Sequence, residues 1–285
     1  PFKLIGGLRP SDEYYGIIGN NYSGESVQAF QDSLARRTRG SSNPADYADL
    51  LRVLPIENVK PERVAALEVG SRHLIANRLY IDLDYAYSRF TDFLGSIDLV
   101  GPRRYLQADG TWYIGRLTPD SAARGAYVPY RRYYNTPSVV FTHHFALSVQ
   151  YTLSKRYFFN ANFTYADIIL NEEAKLDKLI AQFNTPKYKA SAYFTGRELL
   201  TNRRLSFTVG YRWINAYKFE ESFHQRIIPT YQLVDVQVSY KFPKISSQLR
   251  IGGQNVLNNR HVEVPGGPTL GALYYIQWVY DPFLP

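Results

Sequence analysis

The feature that most constrains this chain is alternation, because a period of two puts successive side chains on opposite faces of an extended strand. In the segment Leu79 to Ser88, the set Leu79, Ile81, Leu83, Tyr85 and Tyr87 alternates with Tyr80, Asp82, Asp84, Ala86 and Ser88. Val139 to Leu153, Tyr157 to Ala166 and Leu205 to Trp213 repeat the pattern. Val234 to Phe242 is the cleanest case, with Val234, Val236, Val238, Tyr240 and Phe242 set against Asp235, Gln237, Ser239 and Lys241. One face suits lipid and the other suits water. A soluble sandwich would need a second layer over every such strand.

Composition narrows the choice further. No run approaches the ~20 apolar residues that a membrane-spanning helix needs, whereas barrel strands place apolar residues only at alternate positions and read as polar on average. Aromatic residues make up 15% of the chain, as expected where strand ends carry rings at a membrane–water interface. Cysteine is absent, which excludes disulfides, cysteine-ligated metals and a thiol nucleophile. The net charge of +8 comes from basic residues scattered among acidic ones, so nucleic acid is not an expected partner.

Connection lengths carry the next step, since such barrels join strands by short turns on one side and longer loops on the other. Short turns are expected near Ala76-Asn77-Arg78, Ser154-Lys155-Arg156, Thr201-Asn202-Arg203 and Pro243-Lys244-Ile245-Ser246. Long connections are expected over 9–62, 100–136, 170–186, 220–229 and 256–268, with helical spacing within 171–183. They alternate with the turns. An incomplete strand at 2–8 brings the expected total to about ten, and the last, 269–280, ends on the short-turn, periplasmic side. The fold expected is all-β: a transmembrane antiparallel β-barrel in the outer membrane.

With the strands placed, several runs resemble the C-terminal barrel of TonB-dependent receptors. They are Val59-Lys60-Pro61-Glu62-Arg63-Val64 followed by Leu67-Glu68-Val69-Gly70, then Phe183-Asn184-Thr185-Pro186-Lys187-Tyr188. Further on stand Ile228-Pro229-Thr230-Tyr231-Gln232-Leu233-Val234-Asp235 and Gly253-Gln254-Asn255-Val256-Leu257-Asn258-Asn259-Arg260. Gly266-Gly267-Pro268-Thr269 and Tyr274-Tyr275 follow, so the matches run in order over 58–280.

The resemblance implies that 1–285 is the C-terminal part of a barrel of about 22 strands, with an N-terminal plug and the remaining strands outside this chain. It implies uptake of a bulky solute, such as a siderophore, oligosaccharide, peptide or cobalamin-like compound. It also implies coupling to the TonB complex through the plug, and contact with outer-membrane lipid, lipopolysaccharide and the barrel-assembly machinery, with or without a surface lipoprotein lid. No cofactor and no covalent chemistry are implied. The family usually stops at an aromatic residue in its last strand, and here either Tyr280 or Phe283 could fill that role.

The candidate ligand site is the 100–136 connection, in which Arg103, Arg104, Arg131 and Arg132 interleave with Trp112, Tyr113 and Tyr130. Aromatic faces stack on sugars or planar ligands, and guanidinium forks bind carboxylates and phosphates. Packing within the loop, or contact with lipopolysaccharide phosphates, would use the same residues. His143 and His144 are strand neighbours and face opposite ways, which disfavours a shared metal. Asp82 and Asp84 share a face, and Glu68 and Arg72 are plausible partners for them on the preceding strand. Gly6-Gly7, Gly252-Gly253 and Gly266-Gly267 open no helix after a strand, so they read as close-packing or bulge positions rather than phosphate loops. Three rival functions are an omptin-like protease drawing on Asp92, Asp98, His143, His144, His224 and His261, a passive porin, and a soluble sugar-binding β-protein, whose apolar outer faces would need a covering layer.

Overall fold

Alternating β-branched and aromatic residues fit a pleated surface better than any helix, and the computed structural model folds accordingly. It describes all residues except 1–2, 6–20, 55–58, 107, 111, 115–116, 173–174, 176–178, 182, 221–224 and 283–285; for 3–5, 104–106, 112–114, 130 and 225 the description is of the backbone. The strands are β1 (Lys3–Ile5), β2 (Tyr22–Ser23), β3 (Arg63–Ile75), β4 (Leu79–Thr91), β5 (Leu94–Pro102), β6 (Arg104–Leu106), β7 (Trp112–Ile114), β8 (Tyr127–Asn135) and β9 (Val140–Thr152). They continue as β10 (Tyr157–Ile169), β11 (Tyr188–Leu199), β12 (Leu205–Ile214), β13 (Tyr217–Glu220), β14 (Gln225–Ile228), β15 (Tyr231–Phe242), β16 (Ser247–Gln254) and β17 (Leu273–Tyr280). No helix is long and apolar enough to cross a membrane.

Nine strands make one antiparallel wall in the order β17-β16-β15-β12-β11-β10-β9-β4-β3. Its register keeps the two faces apart across many strands. Ile81, Val149, Ala161, Ala192, Tyr211 and Val234 lie opposite one another in a single apolar row. One residue along, Asp82, Ser148, Asn162, Ser191 and Arg212 form a polar row. The wall is one layer thick and its ends do not pair, so apolar side chains such as Leu67 (62% exposed) and Ile276 (76%) are bare.

The short turns fall where the sequence places them. At the first, Ala76 (φ 49°) and Asn77 (φ 53°) are both left-handed and the Arg78 N–H donates to the Ile75 carbonyl at 3.0 Å. That turn matches the right-handed twist of the strands it joins. Between β11 and β12 the register slips between Gly196 and Leu199, the signature of a bulge.

Two expectations are corrected. The segment 2–8 adds no wall strand: of it, Lys3–Ile5 is described and runs parallel to β8 in a separate four-stranded sheet, order β1-β8-β5-β2. The wall therefore has nine strands among the described residues, not about ten. The two longest connections are not plain loops either. The first holds a helix, Gly24–Ala35, and a 3-10 turn, Pro44–Leu50. The second is a long ribbon in which β5 and β8 pair from Leu94↔Asn135 to Pro102↔Tyr127, with the hairpin β6–β7 and a short helix, Pro119–Ala123, carried beyond it.

Most buried apolar residues gather in these two connections and their roots, with a smaller cluster of Ile228, Tyr231 and Leu233 at the start of β15. Phe30, Tyr47, Val27, Leu51, Val100 and Ala122 form one cluster, and Leu54, Phe93, Ile97, Leu99, Val140 and Leu179 another. A single-layer wall with a lipid-type face leaves the connections as the place where a water-excluded core can form.

Candidate ligand-capture surface

Segments of three connections far apart in sequence build the cap on the long-loop side of the wall. The helix Gly24–Ala35 starts at Ser23, whose hydroxyl accepts the Ser26 N–H at 3.4 Å, and it buries Val27 and Phe30 under Val100 of the ribbon. The free edge of β5 is covered by Tyr22 and Ser23, and further along by Ile180 of the third connection, which exchanges backbone hydrogen bonds with Ser96 at 2.7 and 3.0 Å. Of the helical spacing expected in that connection, the described part shows one helical bond, Lys175 N–H to Asn171 O, at 3.0 Å. Asn135 fastens the ribbon to the wall: its amide donates to the Lys60 and Asp92 carbonyls at 3.0 and 2.6 Å and its oxygen accepts the Lys60 N–H at 2.7 Å.

The seven candidate ligand residues divide. Arg131 is 5% exposed, and its guanidinium donates to both oxygens of Asp98 at 2.6 and 2.9 Å. Arg132 is 2% exposed, on the strand position opposite Ile97. Both are buried within the ribbon. Arg103 is exposed at its outer end. Arg104, Trp112 and Tyr113 lie on the β6–β7 hairpin, where Arg104 pairs with Ile114, Tyr105 with Tyr113 and Leu106 with Trp112. Tyr130 is on β8 opposite Leu99; the side chains of these last four lie outside the described residues.

At the outer corner, Arg39 donates to both carboxylate oxygens of Asp49 at 2.7 and 2.9 Å. That hydrogen bonding holds the Asp49 carboxyl below its ordinary range and the Arg39 guanidinium above its own. Between the third connection and β13 lies a hollow of about 430 Å³, lined by Asp167, Ile168, Lys175, Phe183, Lys187 and Glu220. Its cations are partnered: Lys187 with Asp167 at 2.7 Å and Lys175 with Glu172 at 2.8 Å.

The polar face of the wall carries its own network. Arg212 donates to both oxygens of Asp235 at 2.8 and 3.0 Å, the Asn255 N–H donates to Asp235 at 2.9 Å, and the Tyr275 hydroxyl donates to Gln237 at 2.8 Å. Arg72 reaches Asp82 across the β3–β4 pair at 3.2 Å, which resolves one of the two acids in the Asp82 and Asp84 row into an ion pair. Tyrosine rings cover glycines here: a Cβ on Gly210 would meet the Tyr193 ring at 2.5 Å, and one on Gly252 the Tyr275 ring at 2.8 Å. These are the close-packing positions that Gly252-Gly253 suggests in sequence.

Among the described residues the protease candidates are not gathered. His143 and His144 fall on opposite faces, His143 sharing a 2.7 Å hydrogen bond with the Tyr85 hydroxyl on the apolar face. Asp98 is tied to Arg131, and His224 lies outside the described residues. His261 is 7% exposed and stacks on Tyr231 at 4.4 Å. Around it is a cluster that sequence reasoning missed: the Tyr217 hydroxyl donates to the Glu263 carbonyl at 3.0 Å, and burial followed by the Glu263 charge pushes that phenol up. Aromatic residues on two separate connections and at the start of β15 give no local signal of meeting.

A single-layer antiparallel wall with one apolar and one polar face, short turns at one end and a folded cap at the other, defines a section of a β-barrel. The chain belongs to the TonB-dependent receptor family: residues 11–256 match its β-barrel, described as TonB dependent receptor-like. Members of this family are outer-membrane receptors and transporters. No curated protein matches the chain. Among solved structures it is similar to the siderophore receptor PirA from Acinetobacter baumannii (15% identity, 78% of this chain and 32% of that one, TM-score 0.52). It is likewise similar to the FrpB iron transporter from Neisseria meningitidis (14%, 79% and 32%, 0.52) and to the copper transporter OprC (13%, 78% and 31%, 0.52). The chain spans about a third of the length of those proteins.

Proposed function

We propose that the protein takes up a bulky, anionic metal chelate of the siderophore kind across the outer membrane, driven by the TonB complex acting on a plug. The observation that carries this reading is the cap. A passive pore gains nothing from a folded, multi-segment cover, whereas a receptor needs a preorganised outer surface to hold a scarce solute. The β6–β7 hairpin carries Arg104, Trp112 and Tyr113, with Arg103 just before it and Tyr130 on β8, and guanidinium and aromatic residue types are those suited to such chelates. The neighbouring solved receptors, named for siderophores, iron and copper, favour a chelate over an oligosaccharide, peptide or cobalamin-like solute.

The test is uptake of radiolabelled ferric chelates, with those other solute classes as comparators, by cells carrying the full-length protein with and without TonB. Arg103→Ala combined with Trp112→Ala is expected to raise the half-saturating concentration by about 30-fold or more, since truncating even one hot-spot residue costs about 2 kcal/mol. Uptake that persists undiminished without TonB would make the protein a passive barrel. A normal half-saturation in the double variant would remove the hairpin from the site.

A further inference from the structure

On the polar face, the arginines at Arg72 and Arg212 each have an aspartate. On the apolar face two arginines do not. Arg63 of β3 and Arg89 of β4 follow the phase of Leu67, Val69, Tyr85 and Tyr87, since Ala65 lies opposite Arg89 and Arg63 opposite Thr91. Both are exposed, and neither has an ionic or hydrogen-bonded partner among the described residues. They are diagonal neighbours, ~7–8 Å apart at the backbone, close enough for two flexible guanidinium arms to meet on one anion. The nearest acids in sequence, Glu62 and Asp92, fall on the alternate phase, and Glu62 accepts the Leu94 N–H at 2.9 Å.

Their height decides what the anion is. From Leu79 beside the short turn, the apolar face of β4 runs through Ile81, Leu83, Tyr85 and Tyr87 before reaching Arg89. At ~3.4 Å per residue and a strand tilt of ~40°, Arg89 stands ~26 Å above Leu79, at the top of an apolar band ~25 Å tall. The same arithmetic from Ile75 puts Arg63 ~31 Å up. The aromatic step just below, where Tyr87 stacks on Phe141 at 5.6 Å, is what a membrane–water interface favours.

We infer that Arg63 and Arg89 form a site on the outer wall for the phosphate of an outer-leaflet lipid headgroup. The inference rests on the membrane-spanning reading of the wall. Paired guanidiniums match phosphate oxygens bidentately, and at headgroup depth they face a surface dense in that group. The lipid so held stands beside β3 and at the foot of the cap.

The experiment uses the full-length protein extracted in detergent, titrated by native mass spectrometry with bis-phosphorylated lipid A, with its dephosphorylated form and with inorganic phosphate. Flotation with vesicles runs in parallel. Wild type is expected to bind the phosphorylated lipid, and Arg63→Gln with Arg89→Gln to lose roughly 30-fold in affinity, about fivefold per arginine. The Lys, Lys variant should stay within about threefold of wild type. Arg89→Gln alone, roughly fivefold weaker, serves if the double variant fails to assemble.

Equal binding of the dephosphorylated lipid, or of the double variant that still floats, overturns the site. Inorganic phosphate binding as tightly as the lipid reassigns the pair to a free anion and also overturns it. Wild-type protein that does not float defeats the membrane reading itself, a separate failure.

Discussion

Replacing Asp235 by alanine tests whether the polar face of the wall holds the last outer connection in place. Its carboxylate, 20% exposed, takes two hydrogen bonds from Arg212, itself 34% exposed, and a third from the backbone of Asn255. Asn255 is left-handed at φ 50° and opens the connection to β17. Charge-assisted bonds contribute up to ~3 kcal/mol each when shielded, but solvent screening reduces those to Arg212 to about 1 kcal/mol apiece. The Asn255 bond adds about 1 kcal/mol.

Asp235→Ala should therefore lower stability by about 3 kcal/mol, roughly a hundredfold in the unfolding equilibrium. Asp235→Asn, which keeps an acceptor for Asn255, should lose about half of that. The assay is urea unfolding of the detergent-folded protein, followed by tryptophan fluorescence, with tryptic cleavage after the exposed Arg260 as a local probe. Cleavage should quicken about fivefold in the alanine variant and little in the asparagine one. Unchanged unfolding together with unchanged cleavage would refute the argument that Asp235 links wall and connection.

Gly210→Ala, whose new methyl meets the Tyr193 ring at 2.5 Å, should destabilise by about 1–3 kcal/mol as other overpacked sites do, and Tyr193→Ala in the same chain should relieve the clash; urea midpoints of the two variants check this. Asp49 has its folded pKa lowered by Arg39, so the stabilisation is present above the unfolded carboxyl pKa and is lost as pH falls through the folded one. Hydrogen exchange in the Pro44–Leu50 turn should accordingly rise below about pH 4, and Asp49→Asn should remove that dependence.

The wall was legible because its constraint is local. Each residue of β4, β9, β10, β12 and β15 declares its face by parity, and the turns at Ala76-Asn77 and Thr201-Asn202-Arg203 mark the reversals. The cap was less so. Val27, Phe30 and Leu34 do fall at helical spacing after Ser23, but three apolar positions inside a long polar connection are a weak signal beside the alternation of the strands. The ribbon was hidden by Gly95, Gly101, Pro102 and Pro129, which read as loop. Arg131 looked available to a ligand because its partner, Asp98, is brought to it only by strand pairing across 33 residues. Residue types alone cannot say whether an arginine faces a solute or an aspartate.

Because helix, ribbon and Ile180 share their contacts, the outer segments are not independent fingers. Displacing the Gly24–Ala35 helix would uncover Val100, and freeing Ile180 would bare the edge of β5 at Ser96. A solute pulling on the β6–β7 hairpin therefore loads segments on three connections at once. Rearrangement of the mouth should occur as one concerted step, with a single relaxation time reported by probes placed anywhere on the cap.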